Sequence, residues 1–258
     1  MNTHIIKKTQ KNLILVFTLS LFIFSSTVFS QTTAKLTSTD EFGGKWGTKV
    51  KEAIEAMKLE GNIEDGAIIY EEICQACHQP GGNGDPGGNF PQLAGQHSTV
   101  IIKQIADIRI GNRDNPTMYP FANIEALRAA TEDIFDEEKS GPQTLSDVSA
   151  FIQTLPMSSA IVGEGGDLEH GGKIYKENCV RCHGDHGQGD VKNYYPVIAG
   201  QNYHYLLRQF RWIKDGKRRN ANPEMVKQIY GFSERDMLAV MDWVSRQTMI
   251  AGDWDSKK

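Results

Sequence analysis

The four cysteines of the chain lie in two motifs of the same form. Residues 74–78 are Cys-Gln-Ala-Cys-His and residues 179–183 are Cys-Val-Arg-Cys-His, so both follow the pattern Cys-x-x-Cys-His. This pattern is typical of covalent c-type haem attachment. Two thiols one helical turn apart can each add to a vinyl group of one porphyrin, and the adjacent histidine then binds the iron. The sequence therefore predicts two haem c groups, held by Cys74, Cys77, Cys179 and Cys182 and ligated by His78 and His183.

Paired cysteines have other uses in proteins. Two Cys-x-x-Cys pairs could bind zinc, and in an exported protein they could form disulfides or redox-active dithiols. The zinc and dithiol alternatives leave unexplained why a histidine follows each pair. The sequences on both sides of the motif also repeat, as a shared haem-binding fold requires. Haem attachment is therefore the preferred interpretation.

Each haem iron takes a sixth ligand, and methionine opposite histidine is the pairing that raises the potential in c-type cytochromes. Met118 and Met225 each complete an Asn-Pro-x-Met sequence, 40 and 42 positions after the motif histidine. The proline restricts the backbone and helps to hold the thioether against the iron. We therefore predict that His78 with Met118 and His183 with Met225 are the axial pairs. Bis-histidine ligation is the alternative, but the other histidines do not match across the two halves and are expected to face solvent: His97, His170, His186 and His204.

The two halves of the chain repeat each other at an offset of 105 residues. The repeat pairs identical residues on both sides of the cysteine motif. The paired positions include Gly66 with Gly171, Tyr70 with Tyr175, Pro91 with Pro196, and the Ala-Gly-Gln triplets at 94–96 and 199–201. A duplication of one mono-haem domain explains this pattern.

Apolar residues recur at helical spacing in both copies, and no strand-like alternation stands out. A helix is predicted ahead of each cysteine motif, another after the Gly-rich loop that follows the motif, and a third at the end of each copy. A further helix is predicted at 48–58. The predicted ranges are 63–74, 98–110 and 146–155 in the first copy and 168–179, 203–214 and 233–247 in the second. The predicted fold class is therefore all-α, with two tandem domains that each wrap around one haem.

The first copy is longer than the second by about 15 residues, all within 119–143. The stretch from 131 to 139 is strongly acidic. A solvated surface loop, in which residues 123–130 could form a short helix, is the simplest interpretation of this insertion. A lid over one haem edge or a docking surface for a basic partner is the alternative. The complete plan is a signal peptide at 1–30, an N-terminal extension at 31–62, a first domain at 63–156, a linker at 157–167, a second domain at 168–250 and a tail at 251–258.

Residues 1–30 have the composition of an export signal. Lys7, Lys8 and Lys11 precede an apolar run from 13 to 24, and small or modest residues precede Gln31. An uncleaved anchor is the alternative, although the run is short of the roughly 20 residues that cross a bilayer. Bacteria attach c-type haem on the far side of the membrane, so export agrees with the haem prediction. We expect a periplasmic protein.

Charge is divided unevenly along the chain. Residues 31–165 carry 10 Lys plus Arg against 20 Asp plus Glu, a net charge of −10, and residues 166–258 carry 15 against 12, a net charge of +3. This polarity predicts electrostatic docking with charged protein partners, and nothing indicates a nucleic-acid partner. One basic cluster near Met225 is either the charged face of a helix or a contact for haem propionates or an acidic partner: Arg211, Lys214, Lys217, Arg218 and Arg219.

Together these features resemble the diheme cytochrome c4 family, in which two class I cytochrome c domains lie in tandem. The resemblance covers roughly residues 63–248 and depends on both cysteine motifs, on the segments 91–96 and 196–201, and on Asn-Pro-Glu-Met at 222–225. It implies that the carbonyl groups of Pro91 and Pro196 accept a hydrogen bond from the ligating histidines. The acidic insertion, the N-terminal extension and the uneven charge depart from the family pattern and leave the partners open.

The resulting prediction is a periplasmic electron carrier and not an enzyme. With histidine and methionine both bound, neither iron has an open position for a substrate, so single electrons pass through the haem edge. The expected partners are redox proteins such as a membrane oxidase or reductase, or a periplasmic dehydrogenase. The alternatives are a diheme peroxidase or thiosulfate-oxidising cytochrome, which needs an open or unusual ligand, and a cytochrome subunit of a dehydrogenase complex.

Overall fold

The computed structural model describes residues 50–135, 141–158 and 161–249, which belong to one compact unit. The first half contains α1 (Lys51–Ala56), α2 (Ile63–Ile69), α3 (Gln75–His78), α4 (Ser98–Arg109), α5 (Tyr119–Ala122), α6 (Ile124–Thr131) and α7 (Pro142–Thr154). The second half contains α8 (Leu168–Asn178), α9 (Val180–His183), α10 (Tyr203–Lys214), α11 (Pro223–Ile229) and α12 (Glu234–Ser245). Over these ranges an isolated bridge between Asp190 and Tyr195 is the nearest approach to a strand. The predicted all-α class is confirmed.

In each half, the helix that leads into the cysteine motif crosses the last helix at a glycine. In the first half α2 crosses α7, where a Cβ on Gly66 would lie 2.1 Å from the carbonyl oxygen of Asp147. In the second half α8 crosses α12, where a Cβ on Gly171 would lie 2.1 Å from the carbonyl oxygen of Ala239. Because glycine has no Cβ, it allows the two backbones to approach this closely. Each crossing places the end of a copy against the helix that leads into its cysteine motif.

An aromatic pair packs beside each crossing. The ring centroids of Tyr70 and Phe151 are 5.4 Å apart, and those of Tyr175 and Trp243 are 4.6 Å apart. Both tyrosines are fully buried. Aromatic pairs at these separations add stabilisation beyond the area that they bury, so the matched tyrosines of the repeat belong to the core.

Two predicted helices differ from the structure, whereas the predictions for α4, α8, α10 and α12 agree to within two residues. The helix predicted at 63–74 is α-helical only to Ile69 and continues as a π-helical turn over Tyr70–Cys74. Single π turns are often found at functional sites, and this one ends on the first cysteine of the motif. The helix predicted at 146–155 starts earlier, at Pro142, because proline suits the first turn of a helix.

The N-terminal extension contributes a helix to the first half. Helix α1 packs against α4 and α7 through Ala53 and Ala56, which are both fully buried beside Ile102, Ala106 and Leu145. The structure thus contains most of the helix predicted at 48–58. The predicted signal peptide and the predicted tail lie outside the described residues.

Residues 119–131 of the insertion are folded rather than a solvated loop. Helix α6 begins with Asn123, whose side chain accepts a hydrogen bond from the Ala126 N–H at 2.8 Å. On its inner face Leu127 is 5% exposed and packs in the same core cluster as Ile69 and Ile152. The short helix predicted at 123–130 is confirmed as α6. The expectation of a solvated loop is wrong for 119–131, because the helix has an apolar face that it buries against the core. The acidic residues 136–140 lie outside the described part.

The two halves meet through the side chains of two glutamines that match in the repeat, Gln96 and Gln201. The Gln92 backbone N–H donates to Gln201 Oε1 at 3.0 Å, and Gln201 Nε2 donates to the Gln92 carbonyl at 2.8 Å. Gln96 and Val197 exchange hydrogen bonds of 3.0 and 2.9 Å in a similar manner. Because Gln92 and Gln201 are both buried, these bonds fix the contact between the halves.

Among the described helices, none has the length and apolar character needed to cross a membrane.

Candidate haem sites

The first cysteine motif ends in a buried histidine. Cys74 closes the π-helical turn, and α3 carries Cys77 and His78. His78 is 5% exposed, and its Nδ1 lies 3.0 Å from the carbonyl oxygen of Pro91. A carbonyl only accepts, so Nδ1 carries the hydrogen and Nε2 keeps the lone pair that can bind a metal. Burial lowers the pKa of this imidazole, which favours the neutral, ligating form.

The second motif repeats the arrangement. Cys179 precedes α9, which carries Cys182 and ends at His183. His183 is buried, and its Nδ1 lies 3.2 Å from the carbonyl oxygen of Pro196. Burial again lowers the pKa of the imidazole. The structure therefore places both proline carbonyls where the family resemblance requires them.

A tyrosine hydroxyl holds the residue that follows each histidine. The Tyr70 hydroxyl donates to the carbonyl of Gln79 at 2.7 Å, and the Tyr175 hydroxyl donates to the carbonyl of Gly184 at 2.6 Å. Both receiving residues have a left-handed backbone, with φ of 67° at Gln79 and 76° at Gly184. Burial raises the pKa of both phenols, so they stay protonated and able to donate. The repeat placed these tyrosines upstream of each motif but did not reveal this bond.

The four thiols are unpaired and half-buried. Burial raises the pKa of Cys74 and of Cys179 to about 12, and the neighbouring cysteine raises it further. Redox-active and zinc-binding cysteines need an accessible thiolate at neutral pH, which these environments disfavour. Over the described ranges no three His, Cys, Asp or Glu side chains form a group that could hold a metal ion. The zinc and dithiol alternatives thus have no support in the geometry.

Each predicted methionine shares a cavity with the histidine of its own half. Met118 lies at the start of α5 and lines a cavity of about 30 Å³ with Cys74, Cys77 and His78. Apart from Arg109, the remaining wall of that cavity is apolar, and it includes residues of the insertion: Ile69, Ile73, Ile105, Phe121, Ala122, Leu127, Leu145 and Val148.

Met225 lies in α11 and lines a cavity of about 230 Å³ with Cys179, Cys182 and His183. Its apolar wall includes Ile198, Leu206, Phe210, Ile213, Ile229, Phe232, Met241 and Val244. Two thiols, one imidazole nitrogen, one thioether and an apolar wall are what a covalently attached haem with two axial ligands needs. The residues present in both halves therefore fit haem c.

Arginines line the part of the second cavity that reaches the other half. Arg218 donates to Gln209 Oε1 at 2.9 Å and to Gln104 Oε1 at 3.0 Å, and Arg113 donates to Gln104 and to the Tyr205 hydroxyl. Burial lowers the pKa of Arg218 to about 10, and repulsion by Arg113 adds to this. Burial alone would raise the pKa of Tyr205, but the surrounding arginines together lower it. The cavity thus contains positive charge ready for an anionic group.

A buried ion pair lies behind these arginines. Lys103 and Asp107 are both 0% exposed, and their charged atoms are 2.6 Å apart. Asn220 donates to Asp107 at 2.9 Å from the second half. Burial lowers the pKa of Lys103 despite the attraction of Asp107. Since removing one partner of such a pair leaves a buried charge without compensation, the interface depends on both.

Some charged and titratable residues lie where the sequence did not predict them. His97 is 5% exposed instead of facing solvent, and its Nε2 lies 2.8 Å from the carbonyl oxygen of Gln188 in the other half. His204 is exposed as predicted. Within the basic cluster Arg211 forms a surface ion pair with Glu234, whereas Arg218 is part of the contact between the halves. These are contacts across about a hundred residues of sequence, which local patterns do not encode.

Comparison with known proteins matches each half of the chain to a cytochrome family model. The family model described as cytochrome c matches residues 63–156, and the one described as cytochrome c oxidase, cbb3-type, subunit III matches residues 166–244. Cytochrome c4 of Azotobacter vinelandii is 28% identical over 181 residues, which are 67% of this chain and 83% of that protein. The chain is a diheme cytochrome of the cytochrome c4-like family. Two covalently bound haem c groups and a role in electron transfer follow from this membership.

Two further similarities agree with the assignment. A protein of Stutzerimonas stutzeri named thiosulfate dehydrogenase electron acceptor is 29% identical over 206 residues, 72% of this chain and 88% of that protein. The crystal structure of reduced cytochrome c4 from Pseudomonas stutzeri superposes with a TM-score of 0.59 at 23% identity, covering 73% of this chain and all of that one. The tandem class I cytochrome c fold is thus confirmed for this cytochrome c4-like protein.

Proposed function

We propose that this protein carries single electrons between redox partners through two haems, each ligated by the histidine and the methionine of its own half. The observation that carries the proposal is that Met118 shares a cavity with His78, and Met225 with His183, in a repeated geometry. Each Nδ1 is engaged by a proline carbonyl, which leaves Nε2 for the iron. The bound haem supplies the one-electron chemistry.

The remaining residues of each site orient ligands and exclude water. The carbonyls of Pro91 and Pro196 fix the rotation of the imidazoles, and the apolar walls keep the cavities dry, which stabilises the less charged reduced iron. Arg113 and Arg218 would meet carboxylate groups of a haem, because both line the second cavity with hydrogen-bond donors. The domains that we assign to the two haems are 63–156 and 168–250.

An electron carrier is favoured over an enzyme because each iron would have both axial positions filled from within its own half. A diheme peroxidase or thiosulfate-oxidising cytochrome needs an open or unusual ligand position. All four cysteines are used in the attachment motifs, so no further thiol is available as a ligand. A cytochrome subunit of a dehydrogenase complex has the same sites and differs only in remaining bound to its partner.

We propose a periplasmic location and charged redox proteins as partners. The apolar run and the basic start of residues 1–30 support export. The similarity to a protein named thiosulfate dehydrogenase electron acceptor makes a thiosulfate-oxidising enzyme a candidate electron donor. The net charges of −10 and +3 in the two halves support docking of a basic partner on the first and an acidic partner on the second.

Optical and spin-state spectra of the oxidised protein test the ligation. We expect the weak far-red band of methionine-bound ferric haem at an intensity that corresponds to two haems, with no high-spin signal. A high-spin haem, or a far-red band that accounts for one haem only, would instead favour an enzyme with an accessible iron.

A further inference from the structure

The last residue of α4 connects three parts of the first half. The side chain of Arg109 is 5% exposed and lies in the wall of the cavity that contains Met118. Its Nε donates to the carbonyl of Ala122, the last residue of the helix that starts directly after Met118. Its Nη1 forms an ion pair with Glu52 of α1. One planar guanidinium thus ties the N-terminal helix to the methionine segment.

The second half has an equivalent cation. Lys214 is the last residue of α10 and lies 105 positions after Arg109. Its Nζ donates to the carbonyl of Phe232, three residues beyond the helix that carries Met225. The cation lies at the C-terminal end of its helix, where the helix dipole favours positive charge. The repeat has therefore kept a cation that holds the backbone just beyond each methionine, although Arg and Lys replace each other.

Methionine is a flexible side chain with a soft, weakly interacting sulfur. The time that its sulfur spends on an iron therefore depends on how firmly its backbone is held. We propose that Arg109 and Lys214 are positioning residues that hold the Met118 and Met225 segments for ligation, and that Glu52 neutralises the first of these cations. This inference rests on the His/Met ligation proposed above.

The two cations differ in their charge environment. Arg109 pairs with Glu52, which is 18% exposed, whereas no ion-pair partner of Lys214 occurs in the described ranges. Burial lowers the pKa of Arg109 more than the attraction of Glu52 raises it. In addition, Nη2 of Arg109 is buried with no hydrogen-bond partner among the described residues. Within the described residues, the N-terminal extension thus supplies a negative charge that offsets a buried positive charge in the first haem site, and it supplies none to Lys214.

Imidazole binding to the oxidised holoprotein tests the positioning role. Imidazole binds the iron only after methionine has left, so its apparent affinity reports the methionine-free fraction. Arg109→Met removes both the hydrogen bond to the Ala122 carbonyl and the ion pair with Glu52. Loss of a hydrogen bond from a charged donor should tighten imidazole binding at the first haem about tenfold. Lys214→Met should do the same at the second haem. Arg109→Lys, which can still reach a carbonyl, should restore most of the wild-type affinity.

A matched control comes from the last helix. Arg246 also pairs with a carboxylate, Asp242, and also donates to a backbone carbonyl, that of Gly163. It lines neither methionine cavity. Arg246→Met therefore removes the same two kinds of contact and should leave imidazole binding at both haems unchanged.

Redox titration tests the part played by Glu52. Glu52→Gln leaves Arg109 without its neutralising charge, and a positive charge near the iron favours the reduced state. We expect a higher potential at the first haem and no change at the second. Glu55→Gln on the same helix is the control, since Glu55 is 47% exposed and pairs with Lys51.

The outcomes separate this inference from the proposed ligation. The single variants Met118→Ala and Met225→Ala identify the spectrum and the imidazole site of each haem. Suppose that each methionine variant abolishes the far-red band of one haem, and that Arg109→Met and Lys214→Met bind imidazole as the wild type does. The proposed His/Met ligation is then supported, and the positioning role of the two cations is wrong. If the methionine variants leave the band intact, the ligation proposal itself fails. Should Arg109→Met not incorporate haem, unchanged imidazole binding in Lys214→Met together with an unchanged first-haem potential in Glu52→Gln would overturn the inference.

Discussion

At the scale of single residues, two hydrogen bonds position the histidine of each haem site. The carbonyls of Pro91 and Pro196 set the imidazole tautomer, and the hydroxyls of Tyr70 and Tyr175 hold the residue that follows each histidine. These bonds come from matched positions of the repeat. The two sites therefore have the same hydrogen bonds around the histidine. They differ around the methionine, which precedes α5 in the first half and lies within α11 in the second.

Removing one of the tyrosine hydroxyls tests this design. Tyr175→Phe keeps the ring beside Trp243 but deletes the bond to the Gly184 carbonyl. We expect a loss of about 0.5–1.5 kcal/mol in the free energy of unfolding, the usual worth of such a bond. Chemical denaturation of the holoprotein measures it. Tyr230→Phe, at a side chain that is 77% exposed, is the control, and an equal loss there would show that the buried bond has no special role.

At the scale of helices, the crossing glycines decide whether a domain can close. Gly66→Ala and Gly171→Ala would each place a methyl group 2.1 Å from a backbone oxygen. The helices must then separate, and overpacking of this kind costs about 1–3 kcal/mol. Gly166→Ala is the control, because a Cβ there meets nothing within 4 Å. We expect the midpoint of thermal unfolding to be lower for Gly66→Ala and for Gly171→Ala than for Gly166→Ala. Equal midpoints for the three variants would contradict the packing argument.

A carboxylate at the N-terminus of α12 makes the free energy of unfolding depend on pH in the acidic range. The carboxylate of Asp236 accepts from the hydroxyl and the N–H of Ser233 and from His170, which lower its pKa from 3.8 to about 2. A group whose pKa is lowered by folding stabilises the protein above its unfolded pKa and loses that contribution as the pH falls towards the folded value. We expect the stability difference between the wild type and Asp236→Asn to be fully present above about pH 4 and to be lost as the pH falls through about 2. A difference independent of pH in denaturation experiments would refute this assignment.

Local patterns predicted the helices better than the contacts between them. The box of Ser233 and Asp236 at the start of α12 and the glycine pairs of the crossings could be read from short stretches of sequence. The packing of Leu127 into the core and the burial of His97 could not, because both depend on partners far away in the chain. The site residues were predictable since the cysteine motif and the repeat mark them, whereas Arg109 carries no local signal.

At the scale of the whole molecule, two haem domains with opposite net charge are joined by a polar interface. The acidic half should attract cationic redox reagents and the basic half anionic ones. We therefore expect a cationic oxidant such as a cobalt or ruthenium ammine complex to react faster with the first haem, and ferricyanide faster with the second. Stopped-flow spectroscopy measures both rates, once the single methionine variants have assigned a spectrum to each haem.

Salt provides the check on this polarity. At about 0.1 M ionic strength charges are screened beyond roughly 10 Å, so the preference of each reagent for one haem should shrink as salt is added. Rates that do not respond to ionic strength, or the same preferred haem for both reagents, would show that net charge does not orient the molecule.

The account depends most directly on the far-red absorbance of the oxidised protein in two single variants, Met118→Ala and Met225→Ala. We predict that each substitution removes the methionine band of one haem, leaves the band of the other haem in place, and makes the altered iron high-spin or open to added ligand. Loss of neither band would contradict the account, because a ligand other than these methionines would then complete the iron site.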